Sequence, residues 1–408
     1  MKKTAFSLCL LICTLLLCGC SLIPSDFATK ADLEALKELQ TSAAGDEYNV
    51  TINATEDASR LGAAKALLSV VSIECGFEEL VSSGWFGSPQ TSLRETLYYG
   101  SGVIYRLDKE KGDAFIITNY HVVYNSAATT EDHISDDIKL YLYGQENEAD
   151  AIPAEFVGGS ANYDIAVLKV TSSAVLKQSI AAPATFANSD KVSVLDTAIA
   201  IGNPAGMGIS ATAGYVSVDS EEITLSVTST SYVSMRVMRV DTAVNGGNSG
   251  GGLFDESGCL IGIVNAKIAD SDIENIAYAI PSNVAKHLTE SILSSEDGVA
   301  TRCVLGVVPS VSSSKAVYDT ESGKIAIIET VAISSLSDGS FAEGKLSEGD
   351  VIRSITIDGN TIEIQRKFQL IENMFAARVG STVVFGIERN GVAMSVSFTI
   401  TENMVTIM

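Results

Sequence analysis

Ser249 lies in the stretch DTAVNGGNSGGGLF, Asp241 to Phe254, among five glycines and two asparagines. Glycine loses more backbone freedom on folding than any other residue, so this density points to a main chain with a task. A serine hydroxyl becomes a useful nucleophile only when a base takes its proton. Imidazole suits that role near neutral pH, and the chain has three histidines. His133 sits in the acidic loop EDHISDD and reads as a solvated surface residue. His287 lies on a helical pattern behind the β-rich region and reads as half-buried. His121 ends DAFIITNY and begins the apolar HVV, a strand end where it is held rigidly.

A carboxylate must then hold the imidazole in one tautomer and stabilise its cation. Asp164 opens the mostly apolar strand pattern DIAVLKV, and a carboxylate buried there needs a partner. Singly, each residue has a plainer reading: a structural histidine, a strand-edge aspartate, a glycine turn. Together Ser249, His121 and Asp164 make an acyl-transfer set. The segment Gly247, Asn248 and Ser249 would supply the oxyanion hole, chiefly through the N–H groups of Gly247 and Ser249. On this reading the glycines let the main chain approach a substrate closely. The chemistry needs no metal or cofactor.

Elements must position these groups. Between about Ala64 and Pro281 the chain reads as short β runs broken by Gly, Asn, Asp and Pro: GSGVIYRL, DAFIITNY, DIKLYLYG, DIAVLKV, VSVLDTAIAIG, YVSMRVMRVD and others. Many short strands with regular turn signals indicate a barrel or sandwich rather than an alternating α/β sheet. DESG, Asp255 to Gly258, predicts a hairpin turn. PSNVAKHLTESIL predicts a helix with Pro281 and Ser282 at its start. SSEDG, Ser294 to Gly298, then leads into a third region of roughly a hundred residues.

Composition bounds the rest. The chain has 408 residues, 46% hydrophobic and 19% charged, enough for a sizeable core. Its net charge of −23 repels phosphate backbones and excludes nucleic acid as the main partner. Lys2 and Lys3 precede an apolar run, Ala5 to Leu17, too short for a comfortable membrane span. The run ends in LLLCGC, similar to a bacterial lipobox with Cys20 as the acylated residue; Cys18 departs from that pattern. Residues 1–20 thus read as a lipoprotein signal peptide, exporting the protein to the bacterial cell envelope on a membrane lipid anchor. Beyond Cys20 only Cys75, Cys259 and Cys303 remain, an odd number with no C-x-x-C pair. Neither a disulfide framework nor a zinc motif is expected. Residues 21–62 read as a spacer, with KADLEALKELQ as a short amphipathic stalk helix and a polar linker after it.

The order His121, Asp164, Ser249 resembles that of the chymotrypsin-like serine proteases. The local words resemble the HtrA (DegP-like) family in particular: GSGVIY from Gly100, TNYHVV from Thr118, DIAVLKV, SDKVSVLDTAIAIGNPAGM from Ser189, and NGGNSGGGLF from Asn245. Gly246 and Gly252 stand where the family often has Pro or Arg, and Pro. The resemblance implies a mainly β fold: a chymotrypsin-like double β-barrel over residues 63–290. It places Ala243 and Val244 near the specificity pocket, with Ile263, Val264 and Asn265 of GIVNAK forming its walls and pairing with substrate backbone. A small uncharged pocket there favours small or medium aliphatic side chains at the cleaved bond and not Lys or Arg.

Residues 300–402 resemble a small α/β PDZ domain, most specifically in FAEGKLSEGDVIRSITIDGN from Phe341. In CVLGVVPS, Leu305, Gly306 and Val307 stand where the carboxylate-binding loop would be, so a C-terminal peptide would add as a strand and anchor its carboxylate there. The resemblance further implies a serine endopeptidase acting on unfolded or damaged exported proteins, and a homotrimer. A peptide-binding chaperone with an idle triad, or a signalling protease of narrow specificity, stays open.

Overall fold

The computed structural model describes residues 58–83, 90–226, 232–265, 276–320 and 323–408. Cys20, the signal segment and the stalk helix lie outside the described residues, as do Ala266 and Lys267 at the end of GIVNAK. A helix α1 (Ala58–Leu67) crosses the expected boundary between linker and barrels.

Two β-barrels follow. The first closes in the order β1-β2-β3-β6-β5-β4. Its strands are β1 (Val70–Ser83), β2 (Gln90–Asp108), β3 (Asp113–Thr118), β4 (Asp137–Leu142), β5 (Ile152–Ser160) and β6 (Ile165–Val170). A one-turn helix α2 (Tyr120–Val123) follows β3. The second barrel uses β7 (Thr185–Phe186), β8 (Thr197–Gly202), β9 (Ser210–Ser226), β10 (Tyr232–Val240), β11 (Gly252–Phe254), β12 (Cys259–Asn265) and β13 (Ala277–Pro281). They run β11-β8-β9-β10-β13-β12-β7, and a further β11–β12 pairing closes the ring.

Strand alternation builds two kinds of core at once. In β6, Ala166, Leu168 and Val170 fill the first barrel, while Ile165 and Val167 point outward. In β8, Ala198 and Ala200 fill the second barrel, and Ile199 and Ile201 point outward. The outward sets meet in one buried seam between the barrels with Val103, Ile117, Phe254, Ile263 and Ile280. Each fully buried residue of this size contributes about 1.5–3 kcal/mol. Helix α3 (Ser282–Ser294) seals the seam with Val284, Ala285, Leu288 and Ile292. It crosses residue 290, the expected end of the barrel region.

The C-terminal region has its own core. Its sheet runs in the order β15 (Val307–Tyr318), β16 (Ile325–Leu336), β17 (Val351–Ile357), β19 (Thr382–Arg389) and β20 (Val392–Thr399). β18 (Asn360–Glu363) pairs with β17, and a helix α4 (Lys367–Asn373) packs beside the sheet. β14 (Thr301–Cys303) pairs with β21 (Val405–Ile407), so the folded region extends past residue 402. Phe375 leaves this domain and joins the inter-barrel seam, with its ring 5.2 Å from that of Tyr163. Cys75, Cys259 and Cys303 are free thiols.

Candidate active site

The seam between the barrels carries the three residues that the sequence singled out. His121 stands on α2 rather than at a strand end: β3 stops at Thr118 and the chain turns into helix at Tyr120. Asp164 immediately precedes β6, in the left-handed region at φ 51° and 7% exposed. Ser249 is 5% exposed on the loop before β11.

Asp164 holds the histidine at two points. Its Oδ1 accepts the His121 main-chain N–H at 2.9 Å, and its Oδ2 lies 2.6 Å from His121 Nδ1. The second contact makes Nδ1 the protonated nitrogen and leaves Nε2 as the acceptor. His121, Val122, Gly246, Gly247 and Ser249 line one open pocket of about 360 Å³ with Tyr98 and Tyr99. His121 and Ser249 therefore border the same space.

Two asparagines hold Asp164, one at its carboxylate and one at its backbone. Asn265, fully buried on β12, donates Nδ2 to Asp164 Oδ2 at 2.8 Å. Asn119 donates Nδ2 to the Asp164 main-chain carbonyl at 2.8 Å. A strained backbone is thereby held from both ends, and the charge is met by three donors in place of a cation.

The Ser249 loop is clamped from behind by Ser101. The Ser101 hydroxyl donates to the Gly247 carbonyl at 2.7 Å and accepts from the Asn203 N–H at 2.8 Å. Its own N–H donates to the Ser249 carbonyl at 2.8 Å. The Gly246 carbonyl accepts the Ala205 N–H at 2.7 Å. In a trans peptide the N–H points opposite the carbonyl, so the Gly247 N–H turns away from Ala205. Gly247 adopts φ 99°, in the region that favours glycine, and lines the pocket.

Several expectations change here. The Asn248 N–H closes a turn onto the Asn245 carbonyl at 3.0 Å, so it is withdrawn from any oxyanion hole. The glycines serve the protein's own packing. A Cβ on Gly247 would overlap the Asn203 carbonyl, and one on Gly250 the Ser101 carbonyl. Gly251 and Gly252 are equally hemmed in by Ile201 and Phe254; only Gly246 faces open space.

The expected pocket walls change too. Ala243 is exposed, and Val244 is half-buried against the core of the second barrel. Ile263 is fully buried in the inter-barrel seam, and Val264 in the second barrel. β12 is flanked by β11 and β13, and Val264 exchanges both its backbone groups with Gly250 and Gly251. The backbone groups of Val264 are thus committed within the protein, and the Asn265 side chain serves Asp164. His133 is a half-buried staple, its Nδ1 3.0 Å from the Ala128 carbonyl.

Nothing in the local sequence assigns a role to Ser101, Asn119 or Asn203. Ser101 carries one visible mark, its place between two glycines in GSGVIY; the partners of its hydroxyl are more than a hundred residues away, which no local pattern encodes.

A second concave site lies in the C-terminal domain. Leu305, Gly306 and Val307 line a groove of about 270 Å³ opposite Leu370 and Ile371 of α4 and Met374, with Phe385 beneath. Gly306 takes φ 78° at its turn.

A family described as the trypsin-like peptidase domain matches residues 100–263, a span that contains His121, Asp164 and Ser249. The chain is 32% identical over 321 residues to the serine protease Do-like HtrA of Bacillus subtilis (strain 168), covering 77% of this chain and 66% of that protein. It is 30% identical over 302 residues to the protein of the same name from Lactococcus lactis subsp. lactis (strain IL1403), covering 72% and 68%. The chain thus spans about two thirds of the length of these relatives. A solved structure of the HtrA-type protease AlgW with a decapeptide superposes with a TM-score of 0.50 at 25% identity, covering 86% of this chain and 98% of that one.

Proposed function

Because this chain belongs to the HtrA family of serine proteases, we propose that it is an endopeptidase working through Ser249, His121 and Asp164. The observation that carries this is the doubly held His121, whose Nδ1 is committed to Asp164 and whose ring shares a pocket with Ser249. His121 Nε2 takes the Ser249 proton as the hydroxyl attacks the peptide carbonyl, then delivers it to the leaving amine. Asp164 stabilises the imidazolium between those steps. The Gly247 and Ser249 N–H groups receive the charge that develops on the carbonyl oxygen. Water then hydrolyses the acyl-enzyme by the reverse order of proton transfers.

The Gly246 carbonyl tied back by Ala205 supports a competent site over an idle one, since a flipped peptide would fill the hole with that carbonyl. The substrates we assign are unfolded or damaged exported polypeptides. The domain from residue 301 onward is assigned as a PDZ domain. Its groove at Leu305, Gly306 and Val307 would take a peptide C-terminus; the decapeptide bound by the AlgW relative supports peptide recognition. Export, lipidation at Cys20 and a trimeric assembly belong to the same proposal.

The test is casein digestion by the full chain and by Ser249→Ala, each with and without an apolar C-terminal peptide. Cleavage by the parent that the variant lacks supports the triad. Absence of cleavage by a folded parent in every condition would favour the peptide-binding chaperone.

A further inference from the structure

The hairpin formed by β1 and β2 outruns the barrel it belongs to. β4 pairs with β1 only over Val71–Gly76, and β3 pairs with β2 only from Val103 onward. Beyond those points the two strands pair with each other from Phe77 opposite Thr96 to Ser83 opposite Gln90, and β1 is bridged along its edge to Ala128 at Glu79. Such a ribbon needs a partner on its faces to be stable.

One face has one. Phe77 and Tyr98 contact each other with ring centroids 5.2 Å apart. Beside them Glu79 Oε1 accepts from Asn125 Nδ2 at 2.7 Å, and the Glu78 carbonyl accepts the Thr129 N–H at 2.9 Å. The opposite face is bare. Strand alternation and register put Leu80, Leu93, Leu97 and Tyr99 on it, and these are 61%, 62%, 50% and 43% exposed. Glu78 and Glu95 stand directly opposite each other in its middle, exposed and in no ion pair among the described residues. Like charges so placed repel.

This face runs into the pocket of Ser249. Tyr99 lines both, and Tyr98 borders the same pocket beside His121 and Val122. From Tyr99 to Leu93 is about 20 Å, the length of some six extended residues. His121 must hand its proton to the leaving amine, so the leaving half of a substrate departs on the His121 side, where the hairpin is rooted.

We propose that the bare hairpin face is a binding extension of the cleft for the leaving-group half of the polypeptide substrate. It would take alternating apolar side chains with one basic residue between Glu78 and Glu95. The proposal rests on the protease reading above. It prefers substrate to a second copy of the chain because the face is continuous with the pocket of Ser249.

The experiment compares two peptides with identical residues around the cut. One ends two residues beyond it; the other continues for eight with alternating Leu and a central Arg. The parent should show a kcat/KM for the long peptide at least tenfold above the short one, mostly through KM. Leu80→Ser with Leu93→Ser should collapse that ratio towards one, and Glu78→Gln with Glu95→Gln should erase the preference for Arg over Gln. Labelled long peptide should bind Ser249→Ala, and bind it at least tenfold more weakly once the two serines are added. This arm reads the face even if the parent cleaves neither peptide, an outcome that would count against the protease reading instead. Equal rates for both peptides together with unchanged binding would overturn the proposal. So would a change of sedimentation state in the Leu80→Ser, Leu93→Ser variant with no effect on the long peptide, which would make the face a contact between copies.

Discussion

Arg236 of β10 and Glu372 of α4 meet in two parallel hydrogen bonds, Nε to Oε1 at 2.6 Å and Nη2 to Oε2 at 2.7 Å, with both side chains 7% exposed. Asp190 lies 3.7 Å from the same guanidinium, and the ring of Phe368 covers it at 3.7 Å. Two buried carboxylates thus share one cation, and burial pushes the Glu372 carboxyl up against the pull of Arg236. The pair fastens the helix that walls the C-terminal groove to the strand that leads into the Asp241–Ser249 loop.

The two partners should therefore differ on substitution. Arg236→Ala leaves two buried carboxylates facing each other and should cost about 3–5 kcal/mol. Glu372→Gln keeps the shape of the contact and leaves Arg236 beside Asp190, and should cost about 1 kcal/mol or less. Urea unfolding of both variants measures the difference. Equal losses would show that Asp190 takes no part.

His287 carries a pH dependence. Burial first, then the positive charges of Arg378 and Lys286, push its imidazole down to about 4 from an ordinary 6.5. The unfolded chain binds the proton more readily, so this contribution is complete above pH 6.5 and is lost as pH falls towards 4. The loss amounts to about 2–3 kcal/mol. Between pH 7 and pH 4, His287→Gln should lose that much less stability than the parent in paired urea titrations. Parallel curves would show that the histidine is solvated in the folded state.

Asn265 should matter to rate rather than to binding. Its hydrogen bond to the Asp164 carboxylate is of a kind worth about 1.5–3 kcal/mol. If it acts by orienting Asp164 under His121, Asn265→Ala should lower kcat roughly 10- to 150-fold while KM holds. Asn265→Ser, which keeps a donor, should recover part of the loss. A rise in KM with kcat preserved would return Asn265 to the substrate wall that the sequence suggested.

That reversal shows where local pattern stops. The alternation in DIAVLKV was readable because one strand face fills a barrel and the other a seam, and both demand apolar residues. Asp164 was readable because a carboxylate next to such a strand needs partners. GIVNAK offered no sign that β12 has neighbours on both sides, since an interior strand and a substrate-pairing edge have the same composition. His121 was assigned to a strand end because α2 is a single turn, too short to show a helical period. Ser101 and Asn203 take their roles from contacts across the two barrels, and only the closed fold brings them together.

The glycines of the Ser249 loop allow one last separation. If they served substrate approach, Gly246 would be the demanding position, because it faces the pocket. The packing says the reverse. Gly250 holds φ 82° with its absent side chain aimed at the Ser101 carbonyl and the Thr118 hydroxyl, neither of which can retreat without moving β2 or β3. Gly250→Ala should add about 1–2 kcal/mol of backbone strain to that overlap. It should lower Tm by several degrees and push the Ser249 loop out of register with His121, abolishing cleavage. Gly246→Ala meets nothing within 4 Å and should leave Tm within about a degree of the parent, since open surface positions change stability little. A larger Tm loss at Gly246 than at Gly250 would mean that the loop is shaped by its opening to substrate and not by the barrels behind it.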